Sequence, residues 1–393
     1  MDPRTNPYTP NAGARPPALV GRDGVIEAFD VLLHRLQLGR SEQSLLITGL
    51  RGVGKTVLLR AFEQRARLAG WVTADSEITK SAEFGPRMAV LCRRALLELA
   101  PKERWRERAR RAAGVLRSFS ITVTTDGALT ASLGVDPVAG MADSGDLGDD
   151  LTDVLVALGE AAQESGVGVV FLFDEVQFLT APELEALITA LHMVVQRELP
   201  VTLVGAGLPQ LPRLAGEAKS YAERLFKTPS LGPLSPLESE IALTQPANEL
   251  GVAIEDRAVQ TVVAYTQGYP YFLQEYGKAL WDRAEGSPIT AIEAVEAQAI
   301  VEAVLDSGLF RVRLERASGA EIRYLRAMAE LGPGSQRAGE VAAVMGKKSQ
   351  QVAPTRARLL EKGLLYSPSY GLAAFSVPQF DRYMRRTYPP GLI

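Results

Sequence analysis

The sequence has one cysteine, Cys92, in 393 residues. No intrachain disulfide can form, and no cluster of thiolates can hold zinc. The only two histidines, His34 and His192, stand apart and read as packed or surface side chains rather than metal ligands. The three tryptophans, Trp71, Trp105 and Trp281, lack the aromatic interleaving of a base-stacking platform. Long apolar runs are missing as well. The longest, Val167–Phe173 and Val201–Leu208, are strand-sized and too short to span a bilayer. The N-terminus has no apolar signal-peptide core, so a reducing, cytoplasmic location is expected. Net charge is small: 43 Lys and Arg against 46 Asp and Glu give −3, so the chain as a whole is not a polycation.

What is present is unevenly distributed. From Arg311 to the end there are 14 basic and 6 acidic residues, against 29 and 40 before it. A basic tail on an acidic body points to a polyanionic partner for the tail. The length predicts two or three domains. Residues 1–19 are proline-rich and read as an extended arm. A helix is expected over Asp23–Leu38, a strand over Ser44–Thr48 and a helix from Lys55 to Ala69. Pro86–Arg117 reads as helix broken near Pro101, with a basic run over Arg104–Arg111. Alternation of Phe119, Ile121 and Val123, then Leu129, Ala131 and Leu133, around Asp126-Gly127 predicts a hairpin over Ser118–Leu133. A helix over Leu151–Ser165, the buried strand Val167–Phe173, a helix over Pro182–Glu198 and a strand over Val201–Val204 follow. Alternating strands and helices predict a three-layer α/β unit with a parallel sheet. After about Leu237 the pattern is all-helical to Val304, and a third pattern starts at Ser318. The expected organisation is an arm over 1–19, an α/β domain over 20–236 with an insertion at about 86–150, a helical lid over 237–310 and a small domain over 311–393.

Gly49-Leu50-Arg51-Gly52-Val53-Gly54-Lys55-Thr56 matches the Walker A pattern in full. Gly52 and Gly54 let backbone N–H groups approach phosphate oxygens with no Cβ in the way. The helix that follows points its positive end at the anion. Lys55 supplies charge for the β- and γ-phosphates, and Thr56 a hydroxyl for Mg²⁺. The apolar run Val169–Phe173 ends in Asp174-Glu175, a Walker B pattern. Asp174 is the expected second Mg²⁺ residue, and Glu175 the base that orients or activates water. Binding of ATP with Mg²⁺ is the expectation. Guanine is disfavoured because no Asn-Lys-x-Asp stretch follows Walker B.

With these motifs the chain resembles the AAA+/STAND group of P-loop ATPases near the origin-recognition initiator clade, over roughly residues 17–378. Two further segments carry the resemblance. Pro17-Ala18-Leu19-Val20-Gly21-Arg22-Asp23 is similar to the family's entry segment, which lies near adenine and ribose. Gly268-Tyr269-Pro270-Tyr271 is similar to the lid motif whose proline approaches the nucleotide, although a plain turn ahead of a helix reads the same way. The resemblance implies nucleotide contacts from Gly21, Arg22, Gly49, Arg51, Gly52, Val53, Gly54, Lys55, Thr56, Val57 and Pro270. It also places Arg224 where an arginine finger would reach a neighbouring subunit, which implies a homo-oligomer. The other reading of Arg224 is a surface ion pair with Glu223 or Glu217. Two departures stand out. No Asn or Thr follows the strand Val201–Val204, although Gln210 comes soon after, and no arginine stands in the lid segment after Gly268. Both argue for a slow nucleotide switch rather than a motor.

The tail resembles a winged helix-turn-helix: Ser318–Leu331, Arg337–Met345 and a third helix from Lys347 to about Lys362, then the strand pair Gly363–Tyr366 and Gly371–Phe375. Ser349, Gln350 and Gln351 could read base edges of double-stranded DNA, with Lys347, Lys348, Arg356 and Arg358 on phosphates. Pro354 requires the third helix to start late or kink. Winged helices also serve as protein-binding modules or autoinhibitory lids, so a protein partner is the alternative. No membrane contact is expected.

Overall fold

The computed structural model describes residues 1–11, 13–14, 16–80, 83–100, 105–124 and 130–389. The first unit opens with α1 (Asp23–Gln37), β1 (Ser44–Gly49), α2 (Lys55–Leu68) and β2 (Val72–Glu77). Then come α3 (Phe84–Leu99), α4 (Glu107–Thr124), α5 (Leu147–Ser165) and β3 (Val169–Asp174). It closes with α6 (Ala181–Gln196), β4 (Val201–Gly207), α7 (Leu211–Ala218), α8 (Ala222–Leu225), β5 (Phe226–Lys227) and β6 (Ser230–Leu231). The sheet order is β2-β3-β4-β1-β5, with β6 also on β1, and every pairing is parallel. This is the three-layer α/β architecture expected from the alternating pattern.

Both faces of the sheet are covered, which is why the central strands β1, β3 and β4 are mostly apolar and buried, while edge strand β2 exposes Asp75 and Glu77. Leu45 and Ile47 of β1 and Val170 and Leu172 of β3 join one core with α1 and α2. Leu46, Phe171 and Phe173 join the other with α3–α6. The first core does not end at the edge of the sheet. It continues into a helical region of α9 (Pro236–Asn248), α10 (Asp256–Thr266), α11 (Pro270–Arg283) and α12 (Ala291–Val304), and on into the C-terminal residues. A π-helical stretch, Leu305–Arg311, and the single turn α13 (Val312–Leu314) make the junction.

The C-terminal unit holds α14 (Gly319–Glu330), β7 (Gln336–Arg337), α15 (Ala338–Val344), α16 (Ser349–Glu361), β8 (Leu365–Tyr366), β9 (Leu372–Phe375) and α17 (Phe380–Thr387). Its small sheet is antiparallel in the order β7-β9-β8. The strand pair read from the sequence is thus present, with β7 added at its edge.

Two expectations are corrected. The hairpin over Ser118–Leu133 is not formed: Ser118–Thr124 is the last part of α4, and Ala131–Leu133 is a 3₁₀ turn. The period-two alternation misled because this stretch is a helix buried almost all round, from Ala112 to Ser120, against α3 and α5. Ala112, Leu116 and Phe119 are buried, whereas Ile121 is exposed. The Asp126-Gly127 turn lies outside the described residues. Helix α16, in turn, starts at Ser349 and continues through Pro354 without a break. The missing N–H frees only the carbonyl of Gln350, in an exposed first turn where water can replace the bond. Cys92 is buried in α3, where burial pushes its thiol up to about 12 and leaves it unreactive.

Candidate functional site

Strand β1 and helix α2 share the sequence Gly49–Thr56 between them, and the loop wraps the N-terminus of α2. Gly54 caps the helix at φ +96°. Among the described residues, the N–H groups of Gly52 through Thr56 donate to no protein acceptor. Such an array at a helix N-terminus is an anion cradle. Lys55 is buried, and its ammonium donates to the carbonyl oxygens of Gly49 and Leu50, both at 2.9 Å. Burial lowers its pKa; Glu175 and Asp174 act against that, and Arg51 reinforces it.

Strand β3 delivers Asp174 and Glu175 to the same place. The Thr56 hydroxyl donates to Asp174 Oδ2 at 2.5 Å. Those two oxygens offer a hard divalent cation part of its shell. Among the described residues no group of three or more His, Cys, Asp or Glu could hold a metal alone. The remaining ligands would come from phosphate and water, which suits Mg²⁺. Glu175 has left-handed backbone, φ 55°. A non-glycine residue held there is strained, and such strain clusters at functional sites. Its carboxylate faces Arg51, Nη1 to Oε1 3.7 Å, and accepts a hydrogen bond from the Gln177 amide. Gln177 Oε1 in turn accepts from Leu208 N–H at 3.0 Å, just past β4. Gln177 therefore supplies the polar link between β3 and the end of β4 that the sequence of β4 lacks.

A cavity of about 400 Å³ opens here. Arg51 through Val57 line it, together with Arg22, Asp174, Glu175 and Pro270. Gly49 lies behind the loop, close to Leu231 and Val53. Gly21 packs beside the Glu238 carboxylate. Buried Arg22 is a staple: its guanidinium donates to Val53 O (3.1 Å), Gly232 O (3.0 Å) and Gly21 O (3.1 Å). Arg224 is exposed and does not line the cavity of its own chain. Glu217, one of its suggested partners, pairs with Arg213 instead.

Helix α11 closes one side. Tyr269 and Tyr271 stand so near Gly52 that a Cβ there would meet their atoms at 3.1 and 3.2 Å, so glycine is required by contact as well as by φ +83°. Tyr271 N–H donates to Gly52 O, and the Tyr269 hydroxyl donates to Arg51 O. The N-terminal arm forms another wall, with Thr9, Pro10 and Gly13 facing the cavity. It is anchored on α11 through buried Tyr8 and through Asn6, whose amide donates to Asp282 at 2.7 Å. Sequence reasoning missed the arm, Gln177 and also Arg313, which reaches the cavity from α13.

The C-terminal unit touches the loop directly. Arg51 N–H donates to Ser376 O at 3.2 Å, and Arg51 Nη2 lies 3.1 Å from where a Cβ on Gly363 would stand. Ser367 N–H donates to Gln210 Oε1 at 3.1 Å, and Lys80 pairs with Glu361 at 3.7 Å. Lys347, Lys348, Ser349, Gln350 and Gln351 are exposed, and the Gln351 side chain caps α16 by accepting from Lys348 N–H. Arg356 instead donates to Leu372 O at 2.7 Å, and Arg358 pairs with Glu321 at 3.4 Å.

Residues 18–204 match the AAA ATPase domain. Residues 307–384 match a domain of unknown function. No curated protein matches the chain. A Walker-type ATPase of Pyrococcus abyssi is similar at 16% identity and TM-score 0.55, over 94% of this chain and 97% of that one. ORC1 of Aeropyrum pernix, solved in complex with DNA, is similar at 17% and 0.46, over 94% of each. RuvB of Thermotoga maritima, a Holliday junction branch migration motor, is similar at 16% and 0.43, over 92% and 95%. At such identity the Pyrococcus likeness speaks to the fold alone. Among the described residues no helix is long and apolar enough to cross a membrane.

Proposed function

We propose that this chain binds ATP with Mg²⁺ in the cavity at Gly49–Thr56, hydrolyses it slowly, and uses the nucleotide to reposition a DNA-binding C-terminal unit. The observation that carries this reading is the double engagement of Arg51. It faces the carboxylate of Glu175 and bonds to Ser376 of the C-terminal unit. The first contact is made by its guanidinium and the second by its backbone N–H, so one residue of the loop carries both.

The free N–H groups of the loop and Lys55 would hold the phosphates, and Arg22 keeps the loop in shape from behind. Thr56 and Asp174 would hold Mg²⁺, which supplies charge neutralisation for the developing phosphate oxyanions. Glu175 is the residue that orients water. Its carboxylate is engaged by Arg51 and Gln177, which must let go of it before it can face a water, and this favours slow turnover. Arg224, exposed and away from its own cavity, is free to serve a neighbouring copy; a homo-oligomer is the arrangement in which it acts. The arm over 1–19, the P-loop domain over 20–236, the lid over 237–310 and the winged helix over 311–393 are the working units.

For the DNA step, Lys347, Lys348, Ser349 and Gln350 form an exposed tip at the start of α16, the end that enters a major groove. Arg356 and Arg358, tied within their own unit, would have to exchange partners to reach phosphate. That engagement, with docking through Ser367 and Ser376, favours a second reading, in which the unit is released toward a protein partner. An ATPase assay across protein concentration, with and without duplex DNA, tests the proposal. The switch reading requires turnover or DNA affinity to depend on the other ligand. Duplex binding without a steep fall in salt would instead leave the protein partner.

A further inference from the structure

We infer that Arg313 contacts the terminal phosphate of the bound nucleotide and reports its presence to the C-terminal unit. This rests on the nucleotide reading of the cavity and adds a residue to it.

Arg313 lies on α13, immediately after the π-helical stretch Leu305–Arg311. Its side chain lines the cavity and is half-buried, and among the described residues it makes no hydrogen bond or ion pair. The nearest charges are Arg51, which opposes it, and Glu175, which is already engaged by Arg51 and Gln177. Burial and Arg51 lower its pKa. A guanidinium stays charged in proteins, so it cannot escape by losing its proton. A half-buried cation beside another cation is unfavourable unless an anion joins them. The guanidinium fork matches phosphate oxygens, and this one sits in a cavity whose floor is an anion cradle.

Position selects which phosphate. The charged and phenolic groups that act on Arg313 are Arg51, Glu175, Tyr269 and Tyr271; Arg51 faces Glu175 at 3.7 Å, and both tyrosines stand against Gly52 of the loop. Glu175 is the water-orienting residue of the proposed site, so its end holds the terminal phosphate. A diphosphate would leave Arg313 unpaired.

The junction also explains how the contact is felt elsewhere. Phe310, in the π-helical stretch, meets Phe272 of α11 edge-on with centroids 6.5 Å apart. It also meets Phe380 at 5.5 Å and Tyr383 at 5.1 Å on α17. A pull on Arg313 is therefore applied to one aromatic cluster that joins the helical region to the C-terminal unit. π-Helical stretches recur at functional sites.

The test compares Mg²⁺ complexes of a non-hydrolysable ATP analogue and of ADP on the full chain. Arg313→Gln should weaken the triphosphate about 10–100-fold and change ADP less than about threefold. Arg313→Lys should restore part of the difference, and thermal unfolding of both variants confirms folding. Hydrogen exchange at Gly363–Phe375 should differ between the two nucleotides in the unaltered chain and become alike in Arg313→Gln. Equal weakening of both nucleotides, or of neither, overturns the proposal, as does an exchange difference that survives in Arg313→Gln. If the unaltered chain binds neither nucleotide, the nucleotide reading itself falls and takes this one with it.

Discussion

The protein has two basic sites in opposite surroundings. Around the loop, Lys55 and Arg22 are buried and Arg313 is half-buried; the first two hydrogen-bond to carbonyl groups, and Arg313 to nothing among the described residues. At the start of α16, Lys347 and Lys348 stand in solvent. Water stabilises an exposed ammonium as well as most partners do, so the tip tolerates being empty. Cations withdrawn from water are costly unless anions join them. Here only Asp174, Glu175 and Glu238 do so, none of them within hydrogen-bond distance of these three side chains, so a further anion in the cavity would be stabilised. Burial, rather than number of charges, is what separates a demand for a ligand from an opportunity for one.

The sharpest way to probe that difference is inside the cavity. Glu175→Gln should keep nucleotide binding and lower turnover about 10²–10⁴-fold, read by steady-state phosphate release. An unchanged rate would remove Glu175 from its assigned role. Lys55→Ala should cost roughly 100-fold in ATP affinity by titration calorimetry, since a charged hydrogen-bonding group is lost from a buried site. At the exposed tip the effect should be smaller. Lys347→Ala with Lys348→Ala should weaken duplex binding about tenfold and reduce the salt slope by about two. An unaltered slope would mean that the tip does not meet phosphate. Arg224→Ala should leave ATP affinity alone and lower turnover several-fold only where the rate rises with protein concentration.

The smallest functional effect is expected at Glu321, where the two kinds of surroundings meet. Burial raises its pKa, but Lys362 and Ser318 outweigh that and hold it below the ordinary value of 4.5. Its Oε2 accepts from Lys362 at 2.7 Å, and Arg358 stands 3.4 Å from Oε1. A depressed carboxylate stabilises fully above its unfolded pKa and loses that contribution as pH falls through its folded value. Glu321→Gln should thus cost about 1–3 kcal/mol at neutral pH. That gap from the unaltered chain should close on acidification below pH 4.5 in denaturant titrations. A gap independent of pH would mean that Glu321 acts by packing alone.

Much of the cavity floor was legible beforehand. The spacing Gly49 to Thr56, the apolar run ending in Asp174-Glu175 and the strand–helix alternation are local signals. A loop, a strand end and a helix start encode their own geometry within a few residues. The hairpin over Ser118–Leu133 failed for the same reason in reverse. Its alternation was local, but α4 is held by packing on α3 and α5 that buries it almost all round.

By itself, then, the sequence determined the phosphate loop, the acidic strand end, the parallel α/β unit and the basic character of the tail. Tertiary structure alone decided that Gln177 bridges Glu175 to Leu208, that the N-terminal arm walls the cavity, and that Arg313 enters it from α13. It also decided that Ser376 meets Arg51. The physical reason is distance along the chain. Residue spacing reports which side chains share one element's face, whereas a cavity is closed by elements that meet only once their separate apolar faces have packed.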